Sequence, residues 1–213
     1  MPAASPSRRI GAADSKTRAH LVDAAERLLL EEGYAAVTSR RVAAAAGLKP
    51  QLVHYYFRTM DDLFLEVFRR RAEANLARVA RAVAEDGSLR ALWALNADTR
   101  GAAFTTEFVA LANHRKSIRA EIARYAERYR AAQLEALTAA LTAAGLDADE
   151  LPPIAALLLM TGLSQILGLE QALGVTAGHD ATVAFIERSI AELEQHAAAS
   201  EASGASRAGA DGR

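Results

Sequence analysis

Seven glycines, Gly33, Gly47, Gly87, Gly101, Gly145, Gly174 and Gly178, cut a 213-residue chain into segments dominated by alanine, leucine, arginine and glutamate. Between these breaks apolar residues recur every three or four positions, and the alternation of Val, Ile and Thr that marks strands is nearly absent. Glycine is the usual residue just past a helix end, so the spacing predicts an all-α chain of about nine helices. They are expected at 15–32, 39–45, 50–57, 61–84, 88–97, 102–113, 115–144, 149–173 and 179–198. Thr38 is a natural N-cap for the second, and Thr59 with Asp62 forms a capping-box pattern before the fourth. Leu21, Ala25, Leu28 and Leu29 form the apolar stripe of the first helix, and Leu63, Phe64, Val67 and Phe68 that of the fourth.

Composition narrows the class. Apolar residues make up 51% and charged ones 24%, as in a soluble globular chain. The chain has no cysteine, which excludes disulfides and thiolate chemistry and suits a reducing compartment. Its first residues carry no apolar run of a secretory signal, so the cytoplasm is expected. The most apolar stretch, IAALLLMTGLSQILGL at 154–169, is short for a membrane span and is interrupted by Thr161, Ser164 and Gln165, so it reads as a buried helix. Residues 1–13, with Arg8 and Arg9, and residues 199–213 read as flexible tails.

Charge is uneven along the chain. Through Arg71 there are 12 Lys and Arg against 8 Asp and Glu, and thereafter 13 against 18. A basic head on an acidic body suits a nucleic-acid-binding unit joined to a separate domain.

The segment VAAAAGLKPQLVHYYFRTMDDLF at 42–64 concentrates rings in a chain that is only 6% aromatic. Two short helices meeting at Gly47 have the dimensions of a helix-turn-helix. Val42, Leu48, Val53 and Phe57 are placed where the helices face each other, with Val53 and Phe57 four apart on one face. That leaves Pro50, Gln51, His54, Tyr55 and Arg58 turned towards solvent or a partner. Such side chains reach phosphate oxygens and base edges from a major groove, and Thr38 and Arg40 begin the preceding helix, where free amides favour a phosphate. The competing reading makes Tyr55 and Tyr56 partly buried wedges and His54 a solvated surface residue.

From the first helix onward, the run TRAHLVDAAERLLLEEGYAAVTSRRVAAAAGLKPQLVHYYF resembles the N-terminal domain of TetR-type transcriptional regulators. The likeness covers 14–74, about a third of the chain, with the helix-turn-helix at about 37–56. It is carried by Gly33, Tyr34 and Thr38, by the turn Ala46-Gly47-Leu48, by the aromatic end of the third helix and by the TMDDLF opening of the fourth. The resemblance implies that Lys49, Pro50, Gln51 and Tyr55 approach base edges of double-stranded operator DNA. It implies phosphate contacts for His54 and Tyr56 and backbone contacts for Thr38 and Arg40. Two positions depart from the pattern: Lys49 stands where the family often has Ser or Thr, and Met60 where a lysine is common. Arg58 is the nearby cation expected to replace the second.

The resemblance further implies an all-α architecture with a C-terminal domain at 75–198 that binds a small molecule and forms a homodimer. Trp93, Phe104, Phe108, Leu111, Ile122, Tyr125 and Tyr129 come from helices that would surround a cavity. Asn96, Asn113, His114 and Gln165 are the sparse polar groups that orient a guest. Ile118, Ile122, Tyr125 and Tyr129 follow helical spacing, which plain core packing also produces. For the dimer interface, Leu158, Gly162 and Gln165 on the eighth helix join Val183, Ile186, Ile190 and Leu193 on the ninth.

The functional expectation is therefore a ligand-responsive regulator, a repressor released from palindromic DNA by a largely apolar effector, with no cofactor, metal or membrane partner. An activator and an architectural DNA-binding protein share the same features. A small helical enzyme lacks a metal-binding spacing, a nucleophile elbow and a phosphate loop, and the histidines at 20, 54, 114, 179 and 196 are scattered.

Overall fold

The computed structural model describes residues 15–97, 99–149 and 151–210, and every regular element among them is helical. The helices are α1 (Lys16–Glu32), α2 (Ser39–Ala45), α3 (Pro50–Tyr56), α4 (Met60–Glu85), α5 (Leu89–Asn96), α6 (Thr99–Ala112), α7 (Lys116–Ala143), α8 (Pro153–Ala172) and α9 (His179–Ala210). A 3₁₀ turn, Tyr34–Ala36, follows α1.

Six of the seven punctuating glycines adopt positive φ, as a stop requires. Gly101 does not; it lies inside α6, where burial of Phe104 and Phe108 offsets a mid-helix glycine cost of about 1 kcal/mol. Helix α8 begins later than expected because Pro152 and Pro153 disfavour helical backbone before them. Helix α9 runs on to Ala210 instead of stopping at 198, since alanine occupies much of the extension. Residues 1–13 and 211–213 lie outside the described residues.

The chain divides into two compact units. Among the described residues, the first comprises 15–74 with 104–125, and the second those from 75 to 103 and from 126 to 210. The head is thus discontinuous, whereas the sequence suggested a single cut after residue 74. Packing explains why. Phe104, Phe108, Leu111 and Ile118 join the same buried cluster as Leu21, Leu29, Val42, Val53, Leu63 and Val67. The Phe68 ring meets Phe108 at 5.1 Å between centroids and Tyr125 edge-on at 5.4 Å. Polar links follow the same route: the Tyr34 amide donates to Glu107 Oε2 at 2.7 Å, Arg69 pairs with Glu121 at 2.9 Å, and Arg115 pairs with Asp61.

The second unit has a smaller core of Leu89, Leu92, Ala136, Leu137, Leu141 and Leu157. Helix α5 starts under a Ser88 cap, whose Oγ accepts from the Ala91 amide at 3.1 Å. Helix α8, expected to be buried, is not buried within the chain. Only Leu157, Ser164 and Gly168 are buried, while Leu159 is 70% exposed and Leu173 72%. It is the one described helix long and apolar enough to cross a membrane by length and composition.

Candidate nucleic-acid interface

Local chemistry sets the geometry of α2 and α3. Thr38 is in extended conformation and its Oγ1 accepts from the Arg41 amide at 3.3 Å, starting α2. The turn closes when the Leu48 amide donates to the Ala43 carbonyl at 2.8 Å, with Gly47 at φ 67°. A left-handed residue is needed there, and glycine adopts that conformation without steric cost. Lys49 is the N-cap of α3 but makes no capping bond, and Pro50 fills the first turn, where its missing N–H is harmless.

Helix α3 is pinned from behind. Val53 and Phe57 are buried with Val42. The Arg18 guanidinium stacks over the Phe57 ring at 5.1 Å and pairs with Glu66 at 2.7 Å. That hydrogen bond holds the Glu66 carboxyl below its ordinary value and raises Arg18 above its own. The Tyr56 hydroxyl lies 3.0 Å from Ser15 Oγ, and its ring packs edge-on against Tyr55 at 5.0 Å. Half of the wedge reading therefore applies: Tyr56 is partly buried and tied to the start of α1.

The other side of α3 is open. Lys49, Pro50, Gln51, His54 and Arg58 are exposed, and Tyr55 is 42% exposed. Thr38 and Arg40 are also exposed, at the start of α2. Neighbouring Arg41 is drawn backwards onto Glu32 at 2.5 Å. The outcome is a row of ring, amide and imidazole flanked by Arg40, Lys49 and Arg58, on a helix whose far side is fixed. Base edges and phosphates are read by side chains of these types. Met60 packs against the core and supplies no cation.

The nine expected pocket residues are divided between the two units. Phe104, Phe108, Ile122 and Tyr125 belong to the first unit, the two phenylalanines in its core and the other two packed against it. His114 is exposed in the same unit, beyond the end of α6, because the charged turn around it faces solvent. Trp93, Asn96 and Tyr129 lie in the second unit, and Gln165 lies there too but is exposed on α8. That unit carries a cavity of about 240 Å³ walled by Trp93, Ser164, Gln171, Thr176, His179 and Asp180. A groove of about 480 Å³ beside Arg90, Trp93 and Glu187 lies there as well.

The expected interface residues divide similarly. Leu158 and Gln165 are exposed, and Gly162, Val183 and Ile186 are half-buried. Ile190 and Leu193 pack against the core of their own unit, so that part of the seam is used within the chain. The sequence reading missed Leu159, Ile166, Leu169, Leu173 and Phe185, all exposed. It also missed Gln133, a fully buried polar side chain. Extending the stripe of Ile122, Tyr125 and Tyr129 by one more turn of α7 would have reached it. Among the described residues no three His, Asp or Glu side chains are grouped to hold a metal.

Comparison with known proteins bears on the N-terminal segment and on the fold. Residues 21–67 match the model of the bacterial regulatory proteins of the tetR family. The HTH-type transcriptional regulator BetI of Rhizobium meliloti (strain 1021) is 40% identical over 52 residues, which are 24% of this chain and 26% of BetI. The match thus spans about a quarter of that curated relative. A structure assigned to a transcriptional regulator from Saccharomonospora viridis, in complex with choline, aligns with a TM-score of 0.66 at 20% identity, covering 86% of this chain and 94% of that one. The transcriptional regulator FadR of Bacillus subtilis, in complex with stearoyl-CoA, aligns with a TM-score of 0.55 at 15% identity, covering 73% and 87%. These two structures establish the fold.

Proposed function

We propose that this chain, whose residues 21–67 match the model of the bacterial regulatory proteins of the tetR family, is a dimeric repressor released from palindromic DNA by a small effector. The matched model is one of regulatory proteins. The observation that carries the reading is the outward row Gln51, His54 and Tyr55 on a helix fixed from behind by Val53, Phe57 and the Tyr56–Ser15 hydrogen bond. A reading element must be rigid, because any freedom it retains is lost again on binding DNA. Lys49, Pro50, Gln51 and Tyr55 approach base edges, and Arg40, His54 and Arg58 contact phosphates.

A second copy supplies the second reading helix. Leu159, Ile166, Leu169 and Leu173 on α8 and Phe185 on α9 offer an apolar surface that a soluble monomer would leave wet. Two-fold symmetry would set the two copies of α3 about 34–36 Å apart, or at a multiple of that spacing, to enter grooves on one side of the duplex.

The second unit is the effector-binding body. Choline and stearoyl-CoA in two proteins of like fold are chemically unlike, so the fold leaves effector chemistry to the side chains of each protein. Helix α4 contributes residues to both units, and as a continuous helix it is the natural lever between effector and DNA. A coupling of about 1–3 kcal/mol is enough for regulation, and DNA must weaken effector binding by the same factor. The test is occupancy of the protein's own upstream DNA across a salt series, with transcription measured alongside. A bound palindrome and raised transcription on removing the protein are expected; equal affinity for scrambled duplex overturns the reading.

A further inference from the structure

Gln133 on α7 is fully buried, and its Nε2 has no hydrogen-bond partner among the described residues. The assignment of that nitrogen follows from its neighbours. The Leu92 carbonyl can only accept, and Asn96 Nδ2 donates to it at 2.9 Å. The same Asn96 nitrogen donates to Gln133 Oε1 at 2.7 Å. Exchanging the ends of either amide would set oxygen against oxygen or nitrogen against nitrogen. Gln133 must therefore turn its NH₂ away from Asn96, and that group finds no acceptor.

A buried donor without an acceptor is costly, and proteins satisfy such groups with a side chain, a water or a ligand atom. The surroundings favour a ligand. Gln133 lies one turn before Leu137 on α7, and Asn96 one turn after Leu92 on α5, so the pair closes one end of the second unit's apolar core. Trp93 and Tyr129 stand one turn away on the same two helices. Trp93 and Ala97, which flank Asn96 along the chain, also wall the cavity of about 240 Å³ in this unit, and a directed polar group beside a cavity is what orients a small guest.

We propose that Gln133 is the polar anchor of the effector site, and that the effector is a mainly apolar molecule carrying a hydrogen-bond acceptor such as a carbonyl oxygen. Asn96 is a positioning residue that holds the Gln133 amide in the donating orientation. The inference rests on reading the second unit as the effector-binding body.

The full chain is titrated with 2-octanone, and with n-octane as the matched probe without an acceptor. Fluorescence of Trp93, the only tryptophan in the chain, reports binding. The ketone should bind about fivefold tighter than the alkane, the value of one neutral hydrogen bond, and Gln133→Leu should erase that difference. Gln133→Glu keeps an acceptor for Asn96 but loses the donor, so its preference should move to octylamine. The side-chain amide resonance of Gln133 should shift with the ketone and stay still with the alkane.

The proposal is overturned if 2-octanone does not bind, if Gln133→Leu binds it as wild type does, or if the amide resonance does not move. In those cases a buried water satisfies the donor. Operator binding separates this proposal from the one beneath it. If 2-octanone releases wild type and Gln133→Leu from DNA alike, the anchor fails and the regulator stands. If the ketone binds through Gln133 without changing DNA affinity, the anchor stands and effector release fails.

Discussion

The two units hold their helices together differently. In the first, 21 buried residues form one cluster, against six in the second among the described residues. Ion pairs then lace the first unit's surface: Arg18–Glu66, Arg69–Glu121, and Arg70 with both Asp23 and Glu26 at 2.5 Å. The second unit leaves its most apolar helix facing outwards. A unit that presents fixed side chains to DNA is completed by its own chain. On the proposed function, a unit that exchanges an effector and pairs with another copy would leave such surface unfinished.

That contrast can be broken by truncating the cores. Phe108→Ala should cost about 3–5 kcal/mol in chemical denaturation, because a fully buried ring leaves a cavity among close-packed neighbours. Helix α8 should respond in the opposite manner. Leu159→Asp or Leu173→Asp should leave monomer helicity intact and weaken self-association by at least about 2 kcal/mol, as for a central interface residue. Sedimentation equilibrium checks this, and a dimer unaffected by both changes would remove α8 from the interface.

Smaller changes sharpen the account of the head. Lys49→Ser installs the missing cap on α3 and should add about 0.5–1 kcal/mol of stability, while lowering DNA affinity through a lost cation. Opposite signs in a melting curve and a binding curve would identify Lys49 as a contact retained at the expense of a cap. The smallest effect concerns Glu66. Its carboxyl is held below its ordinary value by Arg18, so its stabilising contribution is complete above the unfolded-state value and is lost as pH falls through the folded one. Because the pair is partly exposed, Glu66→Gln should cost no more than about 1 kcal/mol near neutral pH. The difference from wild type should shrink in acid.

The same contrast explains what could be read from the sequence. The helix-turn-helix was legible because its determinants are local: Thr38 caps, Gly47 turns, Pro50 starts a helix, and Val53 and Phe57 share a face. Each acts within a few residues, and the Thr59–Asp62 capping box appears as two reciprocal bonds of 3.0 and 3.1 Å. Recruitment of Phe104 and Phe108 into the head depends on Phe68, some 40 positions earlier, and helical spacing does not encode such a partner. The buried pair Asn96 and Gln133 was half visible for the same reason. Asn96 stood out as polar among apolar neighbours, but its partner lies on another helix. Ile190 and Leu193 have the spacing of an intersubunit seam, and periodicity alone does not say whose core an apolar stripe joins.

The central claim is that the open face of α3 reads DNA, and specific binding by Gln51→Ala and Tyr55→Ala tests it most directly. Anisotropy against the protein's own upstream palindrome and a scrambled duplex, at one physiological salt concentration, gives the measurement. Each variant should lose about 1–3 kcal/mol on the palindrome and almost nothing on the scrambled duplex, with unchanged helicity. Palindrome affinity equal to wild type in both variants would contradict the claim.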